Sequence, residues 1–297
     1  MKTVVLFLSL VAFVAVVFGL WQLQPKPITV LSEKSLNPTP AQTPQDQTLE
    51  PKDGSIVKSK TVTFKGKMLA GSTIFIVSND FQTSAQADAN GAFQKDITLT
   101  PGLNLIDVIS ISADLSKDTR KSLSLYLAQD GSSGVVAAGS VKTIFDNVIT
   151  LTTLNSQANI KVAPSTSITF PKDVTPDASP SSSVADIRVG DYAVALGNTA
   201  NTGTLTAQKL TIIRDNKPQN NEEYIAVKVL TAPKQNIFTA KSVKDSKILE
   251  LTVDKNTQIS DSGKDTKVDA ITKDKNAVII YHTETGKKVV DLIYLLP

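Results

Sequence analysis

His282 is the only histidine of this 297-residue chain, and cysteine is absent. Nucleophilic catalysis needs a base within reach of a serine, threonine or cysteine, and zinc sites are built mainly from imidazole and thiolate ligands. No second imidazole or thiol is available here to complete a catalytic triad or a zinc site. A polar strand end before a predicted hairpin turn at residues 284–286 explains His282 equally well.

Acidic residues offer a second kind of chemistry. Glycoside hydrolases use two carboxyl groups, and Asp186, Asp191 and Asp254 are candidates for such a pair, although spacing alone selects none. The run Asp88-Ala89-Asn90-Gly91 resembles the start of a calcium loop, but the further acidic ligands and the closing glutamate do not follow. We interpret it as a hairpin turn. We therefore predict no catalytic, cofactor-binding or metal-ligating residue, and no cofactor.

Composition argues against two further classes of function. Lysine and arginine number 31 against 28 aspartates and glutamates, and the two signs are interspersed, so nucleic acid is not an expected partner. No glycine-rich phosphate motif opens a helix, and aromatic residues make up only 5% of the chain. We predict that the protein is not an enzyme.

The elements that carry these residues begin with an apolar segment. Residues 4–23 are almost entirely apolar, with Lys2 before them and Trp21 near their end. A bilayer core about 30 Å thick needs roughly 20 such residues in a helix, so residues 1–23 are predicted to form a signal anchor. Such an anchor implies a single-pass cell-membrane protein with a cytoplasmic N-terminus and an extracellular body. The alternative is a cleaved secretory signal and a secreted protein, although no small-x-small cleavage pattern is present.

Residues 24–50 are a predicted Pro-rich disordered linker. Pro25, Pro27, Pro38, Pro40 and Pro44 stand there among threonine, glutamine and serine. Such segments cannot form a packed core and extend by about 3.1 Å per residue, so the linker is predicted to be a stalk. Because disulfides are permitted outside the cytoplasm, the absence of cysteine indicates a bacterial exterior.

Residues 51–128 have the pattern of a β-sandwich, with alternating apolar and polar runs separated by turns every ~8–12 residues. The turn strings Pro51-Lys52-Asp53-Gly54, Asn90-Gly91-Ala92-Phe93 and Pro101-Gly102-Leu103-Asn104 resemble those of bacterial immunoglobulin-like surface modules. The resemblance implies an Ig-like β-sandwich.

After a predicted linker at residues 129–136, residues 137–215 are predicted to form a small β-barrel. The string Ile187-Arg188-Val189-Gly190-Asp191-Tyr192-Ala193-Val194 resembles a secreted small β-barrel family of unknown function, over about residues 134–214. Residues 184–189 are predicted to form a strand and Gly190-Asp191 a tight turn, after which Tyr192, Val194 and Leu196 face the core.

Residues 222–297 resemble a diverged second copy of the same barrel. Gln235-Asn236-Ile237-Phe238 parallels residues 146–149, and Thr257-Gln258-Ile259-Ser260 parallels residues 166–169. Offsets of about 82–90 residues indicate a domain-sized repeat. Asp274-Lys275 stands where Gly190-Asp191 should recur, so this copy lacks the turn glycine.

These patterns together predict an all-β protein with an N-terminal transmembrane helix, a Pro-rich stalk, an Ig-like β-sandwich and two small β-barrel domains in tandem. The expected function is that of a membrane-anchored extracellular structural, adhesion or display protein of a bacterial cell envelope. Besides the membrane, which residues 4–23 contact, the candidate partners are a cell-wall or surface polysaccharide or another surface protein. Two alternatives stay open: an extracellular polysaccharide-binding accessory module, and a hydrolase with a dispersed site.

Overall fold

The computed structural model describes residues 47–129, 131–171, 183–215, 217–219 and 221–296. Within these ranges the regular structure consists of β-strands and two short 3₁₀ turns, so the all-β prediction is confirmed for them. None of the helical turns in these ranges has the length and apolar character needed to cross a bilayer. The predicted anchor at residues 1–23 and nearly all of the predicted linker lie outside the described residues.

The first eight strands form a two-layer β-sandwich. They are β1 (Leu49–Glu50), β2 (Ile56–Val57), β3 (Thr61–Lys67), β4 (Thr73–Ser78), β5 (Phe81–Gln86), β6 (Ala92–Thr98), β7 (Gly102–Ile111) and β8 (Asp118–Leu127). One sheet has the order β1-β3-β6 and the other the order β2-β8-β7-β4-β5. Side chains alternate along β4, so Ile74 and Ile76 fill the core between the sheets while Phe75 and Val77 point away from it. All four are buried, which means that the outer face of the five-stranded sheet is also covered.

The next five strands form the first barrel, termed barrel 1. They are β9 (Val135–Phe145), β10 (Val148–Thr152), β11 (Gln157–Thr169), β12 (Tyr192–Thr199) and β13 (Leu205–Ile213). The barrel closes in the order β10-β11-β13-β12-β9, and β11 and β13 run parallel. The predicted strand at residues 184–189 is wrong, since the chain forms a 3₁₀ turn at Val184–Asp186 and then a β-turn. Six residues are too few for their pattern to distinguish a strand from a turn. In this segment Ile187 is buried in the barrel core and Val184 packs against it.

The last six strands form the second barrel, termed barrel 2. They are β14 (Glu223–Val229), β15 (Ile237–Ser242), β16 (Ile248–Asp261), β17 (Lys264–Asp265), β18 (Asn276–Glu284) and β19 (Lys287–Leu295). Strands β15-β14-β18-β19-β16 follow one another, and a β15–β16 pairing closes the ring. Strands β16 and β19 run parallel, as β11 and β13 do. Thus the two barrels have the same topology.

The hydrogen bonds that break and restart the long third strand also recur in both barrels. In barrel 1, the Thr166 hydroxyl donates to the Ala207 carbonyl at 2.7 Å and accepts from the Ala163 N–H at 2.9 Å. In barrel 2, the Thr257 hydroxyl donates to the Val290 carbonyl at 2.7 Å, and the N–H of the third residue before it donates to the hydroxyl at 2.9 Å. The paired strands shift register at both places.

Both barrels pack on the outer face of the five-stranded sheet through the same strand of the barrel. In barrel 1, Val194 and Leu196 of β12 lie against Leu103 and Tyr126 of the sandwich. In barrel 2, Val278 and Ile280 of β18 lie in one cluster with Phe75, Val77, Ile109 and Ile111. The prediction that Tyr192, Val194 and Leu196 face the barrel core is therefore wrong.

The residues that do face the barrel core at this strand are Ala193 and Ala195. Barrel diameter grows with strand number, and a five-stranded barrel is too narrow to take large side chains from every strand. The bulky residues of β12 consequently lie on the outer face, where the sandwich buries them.

Candidate functional site

Asp186 and Asp191, two of the acids considered for hydrolysis, hold one end of barrel 1 together. Arg214 donates from Nε to Asp191 Oδ1 at 3.1 Å and from Nη2 to the Asp186 carbonyl at 2.5 Å. The Asp191 carboxylate also accepts the Arg188 N–H at 2.9 Å, and the Asp186 carboxylate accepts the Ser183 N–H at 3.1 Å. Each carboxylate is engaged with the backbone or with arginine, as structural acids are.

Asp254 and Asp88 lie in turns of other modules. Asp254 Oδ1 accepts the N–H groups of Asn256 at 2.8 Å and Thr257 at 3.0 Å, in barrel 2. Asp88 Oδ1 accepts the N–H groups of Asn90 and Ala92, each at 2.8 Å. The predicted turn at Asn90-Gly91 is present, but it joins β5 and β6 of different sheets and is not a hairpin. These bonds are those of Asx turns, which stabilise the backbone locally.

His282, in contrast, lies in a group of titratable side chains. Its Nδ1 is 2.9 Å from each carboxylate oxygen of Asp291, and Glu222 forms a side-chain hydrogen bond with the same carboxylate. One ligand atom from each of the three residues lies within 4.8 Å of the others. All three residues are partly buried, and the side chains of His282 and Asp291 are 33% and 18% exposed. Glu222, His282 and Asp291 are termed the Glu-His-Asp cluster below.

Three neighbouring strands build this cluster. The register of β14 on β18 pairs Glu223 with Tyr281, so Glu222 and His282 stand opposite one another just beyond the last assigned pair. On β19, Val290 pairs with Tyr281, and the next pair skips to Leu292. Asp291 is therefore the extra residue of a β-bulge, a feature that re-aims a side chain. The bulge brings its carboxylate to the imidazole.

The electrostatics of the cluster follow from this proximity. Burial, followed by the hydrogen bond to Asp291 and the negative charge of Asp291, raises the pKa of the Glu222 carboxyl to about 8. Near neutral pH the Glu222 carboxyl therefore keeps its proton, which it donates to the Asp291 carboxylate. The arrangement is a chain of carboxyl, carboxylate and imidazole, which can hold either protons or a metal cation.

Neither Glu222 nor Asp291 was singled out from the sequence. Glu222 stands just before a strand, and Asp291 interrupts the apolar run of the last strand, but both features are common for acids at a barrel surface. Only the strand register and the bulge bring them to His282. The carboxyl groups of Glu222 and Asp291 are in hydrogen-bond contact, closer than the roughly 5–10 Å that separates the two acids of glycoside hydrolases.

A groove of about 620 Å³ lies between the end of the sandwich and barrel 2. Leu115 and Asp118 line it from the sandwich, and Tyr224 and Lys244 line it from barrel 2. The Tyr224 hydroxyl donates a hydrogen bond to the Asp118 carboxylate. Burial, followed by this hydrogen bond, raises the pKa of Tyr224 to about 12.

No family model matches this chain, and neither does any curated protein. A solved chain from work on host cell surface retention of a 1.5-MDa bacterial ice-binding adhesin aligns at 10% identity, covering 86% of this chain and 97% of that chain, with a TM-score of 0.22. A TM-score this low establishes no common fold, so no functional conclusion is taken from it. The sheets and barrels are thus observed, while membership of the immunoglobulin-like or small-barrel families stays a prediction.

Proposed function

We propose that this protein is a membrane-anchored, extracellular structural or adhesion protein of a bacterial cell envelope, and that it acts without catalysis. The observation that carries the proposal is that the sandwich and both barrels pack together into one body through two buried apolar interfaces. A body of this kind is suited to bearing load and to presenting a fixed surface away from a membrane.

The interface with barrel 2 is the larger one. It contains nine buried apolar residues, among them Phe75, whose ring packs edge-on against Tyr294 at a centroid distance of 5.4 Å and an interplanar angle of 87°. At its border, Asn79 Nδ2 donates to the Gln219 carbonyl at 2.5 Å, and Asn79 Oδ1 accepts the Asn221 N–H at 3.2 Å. Nonpolar burial with polar bonds at the rim is typical of a permanent interface.

The interface with barrel 1 combines five buried apolar residues with bonds to the backbone of the sandwich. The Val136 N–H donates to the Gly54 carbonyl at 2.8 Å. Asn155 Nδ2 lies 2.9 Å from both Asp53 Oδ2 and the Ser122 carbonyl. These bonds leave little freedom for the predicted linker at residues 129–136 to act as a hinge.

Surface exposure and attachment test the proposal in cells. The full chain is expressed in a bacterial host, and intact cells are treated with protease before fractionation. We expect the protein in the membrane fraction, cleavage within the predicted linker at residues 24–50, and release of one stable fragment that contains the sandwich and both barrels. Protein in the cytosolic fraction that is protected in intact cells contradicts the proposal.

A second experiment tests the role of the anchor. A variant with a specific protease site inserted after Trp21 is compared with the same insertion left uncleaved, and attachment of the cells to surfaces and to one another is measured. We expect cleavage to abolish attachment while the released body stays folded by circular dichroism. Full attachment activity of the released body in the medium contradicts a tethered role.

The groove beside Tyr224 supports a second candidate function, an extracellular polysaccharide-binding accessory module. Its lining combines apolar side chains with an aromatic ring, two acids and an amine, a combination that suits a polyol ligand. The residues that carry these groups are Leu115, Asp118, Tyr224, Lys244 and Asp245. Binding of the full chain to a glycan array, with Lys244→Ala as the variant, tests it. Absence of binding to any envelope polysaccharide on the array counts against this function and leaves the structural role.

A further inference from the structure

We propose that the Glu-His-Asp cluster is a binding site for one divalent first-row transition metal ion of the Zn²⁺ class. The inference is independent of the proposed structural or adhesion role, and it revises the expectation of no metal ligand that the sequence gives. It rests on the types of the three side chains, on their convergence and on the contrast with barrel 1.

The donor set is one imidazole nitrogen and two carboxyl groups, and their ligand atoms lie within 4.8 Å of one another. Imidazole favours zinc and its neighbours in the first transition row over Ca²⁺ and Mg²⁺, while the carboxylates supply negative charge. Three protein ligands are also the number found in open zinc sites, in which solvent takes the remaining position.

Barrel 1 provides an internal comparison because its strands pair in the same register. Its β12 also meets a bulge on β13, since Gly197 pairs with Ala207 and the neighbouring pair skips to Lys209. The positions of His282 and Asp291 are occupied there by Asn198 and Gln208.

The third position of the cluster differs in a further way. Gly134 takes the place of Glu222, and it has no room for a side chain, because a Cβ there would lie 2.1 Å from the Gly197 carbonyl oxygen. The barrel fold alone therefore requires none of the three ligand types. In barrel 2, an acid, an imidazole and a second acid occur together on the same scaffold.

The position of Glu222 indicates what a bound ion does. Glu222 precedes β14, and its neighbour Asn221 donates its N–H to Asn79 of the sandwich at 3.2 Å. Ligation by His282 and Asp291 ties this entry segment to β18 and β19. The ion therefore fixes the path of the chain where barrel 2 meets the sandwich.

Metal binding to the full chain tests the proposal directly. The untagged chain, solubilised in detergent and stripped with chelator, is titrated with ZnCl₂ in a calorimeter and with Co²⁺ in a spectrophotometer. We expect one saturable site, a visible Co²⁺ absorption band, a higher melting temperature with Zn²⁺, and no competition from Mg²⁺ or Ca²⁺ at equal concentration.

Two of the variants use the residues that barrel 1 itself carries, so the fold is expected to accept them. His282→Asn and Asp291→Gln, together with the isosteric Glu222→Gln, are each expected to weaken Zn²⁺ binding by at least about tenfold. Glu250→Gln, which removes an exposed carboxylate of the same barrel, serves as the matched control and is expected to bind as the parent chain does.

Two results overturn the proposal. One is the absence of saturable Zn²⁺ binding to the parent chain. The other is binding that His282→Asn leaves unchanged while circular dichroism shows a folded protein, which identifies adventitious surface binding only. If one variant fails to fold, the Co²⁺ spectrum and affinity of the remaining two decide the question.

Discussion

The two barrels share one scaffold and differ in the residues placed on it. Both have five paired strands around the ring, a parallel pair, a threonine hydroxyl that spans the strand break, and a bulge on the last strand. Barrel 1 uses a buried ion pair, Asp191 with Arg214, where barrel 2 uses Lys275 with the half-exposed Asp261. Within the described residues, the Glu-His-Asp cluster occurs in barrel 2 and not in barrel 1.

The features that recur in both barrels indicate which interactions the fold requires. Backbone bonds and hydroxyl bridges recur at matching positions, so the topology depends on them. The ionic groups differ in sign and burial between the copies, so the shared topology does not depend on either ion pair. A substitution at a shared feature is therefore expected to destabilise either barrel, and a substitution at an unshared feature only the barrel that carries it.

The interface with barrel 2 is expected to dominate the stability of the assembled body. Phe75→Ala removes a fully buried ring from the cluster of the sandwich and barrel 2, and should lower the free energy of unfolding by about 3–5 kcal/mol. Leu103→Ala, at the interface with barrel 1, removes a half-buried side chain and should cost less, about 1–3 kcal/mol. Urea unfolding followed by circular dichroism compares them, and equal losses would show that the two interfaces are equivalent.

Asp191 of barrel 1 and Lys275, which holds the matching position of barrel 2, form ion pairs that should differ in strength. Arg214 and Asp191 side chains are 13% and 6% exposed, and Asp191→Ala leaves the guanidinium without its carboxylate, at a cost of about 3 kcal/mol. Lys275 and Asp261 are 36% and 35% exposed, so Lys275→Met should cost less than about 1 kcal/mol. Thermal unfolding measures both variants. A larger loss for Lys275→Met would refute the assignment of barrel 1 as the copy that depends on its ion pair.

The turns that precede β12 in barrel 1 and β18 in barrel 2 test whether both barrels tolerate the same backbone conformation. Gly190 has φ +91° and donates its N–H to Val141, while Asp274 has φ +71° and donates to Val229 at the matching position. Gly190→Ala should cost about 1–2 kcal/mol because a Cβ is unfavourable in the left-handed region. Asp274→Gly should raise the free energy of unfolding by less than about 1 kcal/mol, because the relief of the left-handed conformation is partly offset by loss of the exposed ion pair with Lys228. Chemical denaturation measures the free energy of unfolding of both variants, which should fall for Gly190→Ala and rise for Asp274→Gly.

Much of the fold could be predicted from alternation and turns. The predicted turn at Gly190 is present, and the missing glycine at Asp274 does not prevent the matching turn, because aspartate also adopts the left-handed conformation. Strand β5 could not be predicted from alternation, because Phe81–Gln86 is mostly polar and lies at a sheet edge. The prediction for β12 is wrong because alternation shows only that its two faces differ. It does not show which face meets the barrel core and which meets the sandwich.

The Glu-His-Asp cluster could not be predicted for a related reason. His282 is a candidate from the sequence, but its partners are Glu222, which the register of β14 places opposite it, and Asp291, which is the extra residue of a bulge on β19. A bulge leaves no mark in a pattern of period two, and a shift by one residue moves every later side chain to the other face. The chemistry of the site therefore depends on a feature that hydrophobic patterning does not specify.

The smallest expected effect concerns the tyrosines of the two interfaces. Burial raises the pKa of Tyr192, at the interface with barrel 1, to about 12, while burial and the Asp118 hydrogen bond raise that of Tyr224, at the interface with barrel 2, to about 12. Because the folded state keeps these protons to a higher pH than the unfolded state does, their contribution to stability is fully present below pH 10 and falls as the pH rises from 10 to about 12.

Tyr224→Phe should cost about 1 kcal/mol at pH 7 through the lost hydrogen bond and should flatten this alkaline loss. Tyr192→Phe should flatten the loss with little cost at pH 7, since burial alone raises its pKa. Unfolding curves between pH 8 and pH 12 would contradict this account if both variants lost stability with the slope of the parent chain.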